Sequence, residues 1–224
     1  MVTWLILLLV LSVSPLAAQI KVINDGYPGE NTAELDSRLD EALTRFRPNF
    51  VVLFAGANDA LNEKKFLSAQ ESGDRLDAMT RRIKAHGAQV ILVTVHDPDI
   101  TRLMARHKPE AYGNQPPLQR VKAINTQILR VAKMEHAKLV QFATILIKAG
   151  GANAELSTDG VHLTAAGYRL LAVAVRAQLP KHLPADTTVL CFGDSLTYGI
   201  GVRPPDGATE TTATYPAQLR ALLQ

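Results

Sequence analysis

The chain has 224 residues, 47% hydrophobic and 20% charged, a balance that buries a core and excludes wholesale disorder. Its net charge of +3 is too thin for the dense basic face that nucleic-acid binding requires. The one cysteine, Cys191, excludes an intrachain disulfide and a multi-cysteine zinc site.

Trp4 to Val13 is an almost unbroken apolar run, followed by Ser14-Pro15-Leu16-Ala17-Ala18. A short apolar run before small residues predicts a signal peptide over 1–18, and therefore a secreted or periplasmic protein. An uncleaved anchor or a buried strand is the alternative. The run is short of the about 20 apolar residues that span a bilayer, so no membrane span is expected in the mature chain.

Residues 19–224 then read as one domain in which strands alternate with helices. Ile20 to Asn24 predicts a strand, ending in the turn-rich DGYPGEN. Thr32 opens a helix with Leu35, Leu39, Leu43 and Phe46 on one face. Phe50 to Ala55 is a near-continuous apolar run, as in a strand covered on both faces. A helix follows to about His86, with Leu76, Met79 and Ile83 inward and Gly87 as its stop. Gln89 to Thr94 predicts the next buried strand. Val95 to Pro117 reads as a long irregular loop, and such loops are usually functional. Leu118, Val121, Ile124, Ile128 and Val131 mark a third helix, Lys138 to Phe142 a strand, and Ala165 to Leu179 another helix. Residues 180–187 form a linker. Thr188 to Phe192 is a fifth strand and Tyr215 to Leu223 a last helix. Five strands separated by helices predict a three-layer α/β domain with a parallel sheet. Its active site should lie beyond the carboxyl ends of the strands.

Four such ends carry chemistry. They are Gly193-Asp194-Ser195-Leu196, the loop holding Gly29, Gly56-Ala57-Asn58-Asp59, and Asp159-Gly160-Val161-His162. A serine hydroxyl needs a base to take its proton, and His162 can serve near neutral pH. Asp159, three residues earlier, can hold the other ring nitrogen; a backbone carbonyl is the alternative orienter. The backbone N–H groups of Ser195 and Gly29 and the Asn58 amide can stabilise a developing oxyanion.

This set resembles the SGNH, or GDSL, hydrolases, specifically their lysophospholipase, thioesterase and carbohydrate-acetylesterase branch. The match lies in Ser195 of FGDSLTYG, Gly29 of GYPGENT, Asn58 of GAND and His162 of DGVHLTAAGY. The resemblance implies a flavodoxin-like fold and a serine esterase working on short acyl or acetyl esters through an acyl-enzyme. It implies Ser195 as nucleophile, His162 as base, Asp159 as third triad member, and Gly29, Asn58 and Ser195 as the oxyanion hole. Its expected partner is a small-molecule ester, with no cofactor and no metal. An acyltransferase of the same fold, or a non-catalytic carbohydrate- or envelope-binding module, is the alternative. The serine is not in a GxSxG elbow, so the α/β-hydrolase pattern does not apply.

The order of the motifs departs from the family. There the serine comes first; here it comes last. Circular permutation would produce this order, an engineering artefact being the alternative. Permutation would put the new first strand at a sheet edge in the family's 2-1-3-4-5 order. The Val95–Pro117 loop and the Arg203–Thr214 segment are expected to wall the substrate pocket. Cys191 reads as a buried apolar residue. His86 and His136 read as helix-end residues, His107 and His182 as exposed. His96 reads as a loop hydrogen bond or a pocket residue, and Asp194 and Asp59 as loop-organising acceptors.

Overall fold

The computed structural model describes residues 19–204 and 210–224; the leader predicted over 1–18 lies outside them. Five parallel strands form one sheet: β1 (Lys21–Gly26), β2 (Phe50–Phe54), β3 (Gln89–Val93), β4 (Lys138–Val140) and β5 (Thr188–Gly193). Their spatial order is β1-β5-β2-β3-β4. Strand β5 is therefore inserted between β1 and β2, with Cys191 paired to Asn24 on one side and Val52 on the other. Every residue of β5 and β2 is buried, as their unbroken apolar sequences require of strands covered on both faces.

Helices α1 (Thr32–Phe46), α3 (Ala69–Ala85) and α5 (Pro117–Met134) pack side by side on one face. Helices α6 (Phe142–Lys148), α7 (Ala165–Gln178) and α9 (Tyr215–Leu223) cover the other. The short α2 (Ala57–Leu61), α4 (Ile100–Met104) and α8 (Ser195–Tyr198) follow strand ends. This is the three-layer, flavodoxin-like arrangement.

The amphipathic spacing locates the core correctly. Leu35, Leu39 and Leu43 of α1, Leu76, Met79 and Ile83 of α3, and Val121, Ile124, Ile128 and Val131 of α5 are all buried. Helix α1 opens with a capping box, Asn31 accepting from the Glu34 N–H while the Glu34 carboxylate takes the Asn31 N–H.

Several boundaries differ from the sequence reading. The helix expected to run to His86 is two helices, because Asn62 ends α2 and Ser68 caps a new start at Ala69. The strand expected over Lys138–Phe142 stops at Val140, and Phe142 opens α6 instead. Val95–Pro117 is less irregular than expected, since Asp99 caps α4 and a 3-10 turn spans Pro109–Tyr112. Leu118, expected inward, is exposed at the first turn of α5.

Candidate active site

The carboxyl ends of β5, β1 and β2 meet the Asp159–His162 loop over one cleft of about 480 Å³. Strand β5 ends at Gly193, where an added Cβ would lie 2.3 Å from the Phe54 carbonyl oxygen and 2.4 Å from Thr197 Oγ1. Only glycine fits so tight a turn. Asp194 then caps α8, its Oδ1 accepting the Leu196 N–H at 2.9 Å, and Ser195 is the first residue of that helix.

Ser195 Oγ lies 3.0 Å from His162 Nε2, and His162 Nδ1 lies 2.7 Å from Asp159 Oδ2. A carboxylate only accepts, so the Nδ1–H donates to Asp159 and Nε2 is left to accept the serine proton. Asp159, not a backbone carbonyl, is thus the group on the ring. Its other oxygen accepts the N–H of Val161 at 2.9 Å and of His162 at 2.8 Å, which folds the loop so that acid and base face each other. Burial opposes the charge on Asp159, but the bonds and charge of His162 with those backbone donors hold its carboxyl well below the usual carboxylate range.

Gly29 and Asn58 line the same cleft. Gly29 has φ +83°, a backbone conformation that favours glycine, with open space where a side chain would point. Asn58 sits in the first turn of α2. Its Oδ1 accepts from Asn62 Nδ2 at 3.2 Å, which turns its Nδ2 toward Glu30 O (2.9 Å) and Asp194 Oδ2 (3.3 Å). The second of these bonds is long and the easier to exchange for another acceptor.

Sequence reasoning missed the segment that holds the acid–base loop in place. His96 Nε2 lies 2.8 Å from Val161 O, and the Asp99 N–H donates to Gly160 O at 2.9 Å. Arg102 donates to Ser157 O at 2.8 Å and to Ala152 O, and Arg106 Nη1 pairs with Asp159 Oδ2 at 2.8 Å. His96 is therefore a buried loop anchor and does not line the cleft. Burial pushes its pKa down to about 4. The available signal was the Asp99-x-x-Arg102 spacing, which pairs a carboxylate with a guanidinium across the first turn of a short helix; Arg106 lies beyond that helix.

The cleft wall also departs from expectation in part. Leu103, Arg106 and His107 of the Val95–Pro117 segment do line it. Among the described residues, none of 203–214 does; Glu210 instead bonds Asn24 and Arg220, over β1. His107 is half-buried, not exposed, and its Nδ1 meets Glu63 Oε2 at 2.5 Å on the rim. Asp194 and Asp59 are acceptors as read, Asp59 fully buried and taking the Thr32 N–H at 3.0 Å and the Ser72 hydroxyl at 2.5 Å. Among the described residues no group of three His, Cys, Asp or Glu side chains could hold a metal, and no helix is long and apolar enough to cross a membrane.

A flavodoxin-like sheet with a serine, histidine and aspartate in one hydrogen-bonded line at its carboxyl edge defines a class of α/β protein. The chain belongs to the GDSL-like lipase/acylhydrolase family, whose profile matches residues 12–170. It is 28% identical over 152 residues to esterase TesA of Pseudomonas aeruginosa, covering 67% of this chain and 66% of that one, just under two thirds of the relative. Among solved structures it resembles a lipase/acylhydrolase from Enterococcus faecalis (TM-score 0.56, 24% identity, 70% of this chain and 76% of that one). It also resembles an acetylxylan esterase from Geobacillus stearothermophilus (TM-score 0.54, 20% identity, 67% and 68%). At those identities the two structures speak to the fold.

Proposed function

We propose that the protein is a serine carboxylic-ester hydrolase acting on short acyl esters. The observation that carries this reading is the unbroken line Ser195 Oγ–His162 Nε2, His162 Nδ1–Asp159 Oδ2, with donors facing it across the cleft. Ser195 Oγ attacks the ester carbonyl carbon while its proton passes to His162 Nε2. Asp159 stabilises the imidazolium that forms. The carbonyl oxygen, now negative, accepts from the N–H groups of Ser195 and Gly29 and from Asn58 Nδ2, which gives up its long bond to Asp194. Collapse breaks the ester C–O bond, and the leaving alkoxide takes the proton from His162. Water, deprotonated by His162, then attacks the acyl-enzyme and releases the carboxylic acid and Ser195.

The preference for a short acyl group rests on the cleft lining. Leu61, Leu103, Val161 and Ile200 give it an apolar part, but Glu63, Lys64 and Arg106 stand at the same opening. A long apolar chain would meet those charges, whose desolvation is costly.

The test is hydrolysis of p-nitrophenyl acetate and octanoate by residues 19–224 beside Ser195→Ala and His162→Ala. Each variant is expected to lose on the order of 10⁴-fold or more of the wild-type rate. The acetate is expected to be the faster substrate. A folded wild type no faster than Ser195→Ala, and unlabelled by a fluorophosphonate, would leave a binding module as the better reading.

A further inference from the structure

Outside the triad, Arg38, on the second turn of α1, is a densely bonded polar side chain at the strand ends. Its Nε donates to Glu30 Oε2 at 2.7 Å and its Nη1 to Asp25 Oδ2 at 2.7 Å. Its Nη2 reaches two backbone carbonyls, Asp25 O at 3.0 Å and Gly193 O at 3.2 Å. The guanidinium is held between two rings, its carbon 4.4 Å from the Tyr27 centroid and 4.1 Å from that of Phe192. Its side chain is only 17% exposed.

Those partners share one property. Asp25 is the penultimate residue of β1, and Glu30 lies in the loop after it, next to Gly29. The carbonyl of Glu30 is the acceptor that aims the Asn58 amide, at 2.9 Å. Gly193 precedes the Asp194–Ser195 turn by one residue, and Phe192 lies on the same strand. One planar group thus spans the ends of two neighbouring strands, β1 and β5, and the loop that leads from β1 to α1, touching the support of all three oxyanion donors. An ordinary exposed ion pair contributes little. A guanidinium whose three nitrogens are all engaged, stacked between two rings, fixes geometry in a way that an ammonium cannot.

We propose that Arg38 is the positioning residue of the oxyanion hole, setting the spacing of the Gly29, Asn58 and Ser195 donors without touching substrate. The assignment rests on the ester-hydrolase reading above. Arg38 makes no bond to His162 or Asp159, so the acid–base half of the site should be indifferent to it.

The test compares wild type with Arg38→Lys, which keeps the charge but loses the fork. Catalytic geometry is sensitive enough that a displacement near 1 Å costs about 100-fold. The expected result is therefore a kcat for p-nitrophenyl acetate lower by about 10- to 100-fold, with KM within about threefold. A trifluoromethyl ketone, whose hydrate-like adduct with Ser195 places an oxyanion in the hole, should lose affinity by the same factor as kcat/KM. The acid limb of the pH profile should stay where it is, which a general loosening of the fold would not preserve. A folded Arg38→Lys with kcat within threefold of wild type overturns the proposal. So does a loss carried wholly by KM. Ser195→Ala in the same assay separates the two readings. A wild type no faster than Ser195→Ala overturns the esterase reading and Arg38 with it, whereas a fast wild type beside an equally fast Arg38→Lys overturns Arg38 alone. Where Arg38→Lys loses its cooperative melt, Glu30→Ala breaks one arm of the clamp and leaves the guanidinium in place. The same kcat-only loss, smaller in size, is then expected, and an unchanged kcat overturns the proposal.

Discussion

The body of the sheet, β1 to β4 with α1 to α7, and the C-terminal segment from β5 to α9 make unlike contributions to one site. In the mechanism proposed above the body supplies base, acid and two of the donors, and the family profile ends within it, at residue 170. The C-terminal segment supplies one strand, β5, and Ser195, the proposed nucleophile. Yet that strand is interior to the sheet, bonded to β1 on one side and to β2 on the other. Position along the chain and position in the fold are therefore unrelated here, because a triad depends only on where its atoms lie. Counted from β5, the strand order becomes 2-1-3-4-5. The last turn of α9 also lies beside the start of β1, Arg220 Nη2 donating to Val22 O at 2.7 Å. We propose circular permutation as the account of this arrangement. It would join old ends through 180–187 and open new ones at an edge strand, where such breaks are tolerated.

The most drastic way to break the comparison is to remove α9 by a stop after residue 212. If the C-terminal segment were an appendage, the body would keep its fold. It is not: α9 buries Tyr215 and Leu219, packs on α7 and β1, and sets Tyr215 Oη 3.4 Å from Thr197 Oγ1, beside the serine turn. Losing two such side chains costs about 2–5 kcal/mol each, against a total stability of about 5–15 kcal/mol. The expected outcome is loss of the cooperative thermal transition and of all esterase activity. A truncated chain that melts cooperatively and turns over at the wild-type rate would show that the segment ends functionally before α9.

A smaller change sharpens the comparison within the body. Asn58→Ala removes one donor and leaves the Ser195–His162–Asp159 line intact. It is expected to lower kcat on the order of 10²–10³-fold with little change in melting temperature. A loss under about threefold, measured on p-nitrophenyl acetate, would remove Asn58 from the mechanism.

The sequence revealed the strands and the four motif residues for a physical reason. Buried parallel strands must be apolar throughout, as FVVLF and TVLCFG are, and a catalytic residue type at a strand end stands out against them. Arg38 and Arg106 were illegible for the opposite reason. An arginine among charged neighbours reads as solvated, and only the fold brings Asp25, Glu30 and Gly193 around one and Asp159 against the other. The helix break at 62–68 and the start of α6 were missed because tertiary packing, not local propensity, decides short elements.

The last prediction couples the two regions through pH. Burial pushes the Asp194 carboxyl, in the C-terminal segment, up to about 7. In the unfolded chain an aspartate titrates near 3.9. Between about pH 4 and 7 the folded state thus holds more protons at Asp194 than the unfolded one, so this group's contribution falls as pH rises. His96, in the body, behaves in reverse. Burial pushes it down to about 4, while an unfolded histidine titrates near 6.5. There the unfolded state holds more protons, and the contribution rises with pH over almost the same window. The two slopes oppose each other and flatten the wild-type profile. Asp194→Asn keeps an acceptor for the Leu196 N–H but cannot ionise, so it leaves the His96 slope uncompensated. The difference in melting temperature, variant minus wild type, should climb from pH 4 and level off near 7. Asp159 holds its charge down to lower pH in both proteins and cancels from the difference. A difference that stays level from pH 4 to 8 would mean that Asp194 is ionised throughout. In that case its carboxylate, 3.3 Å from Asn58 Nδ2, competes with the substrate oxyanion for that amide.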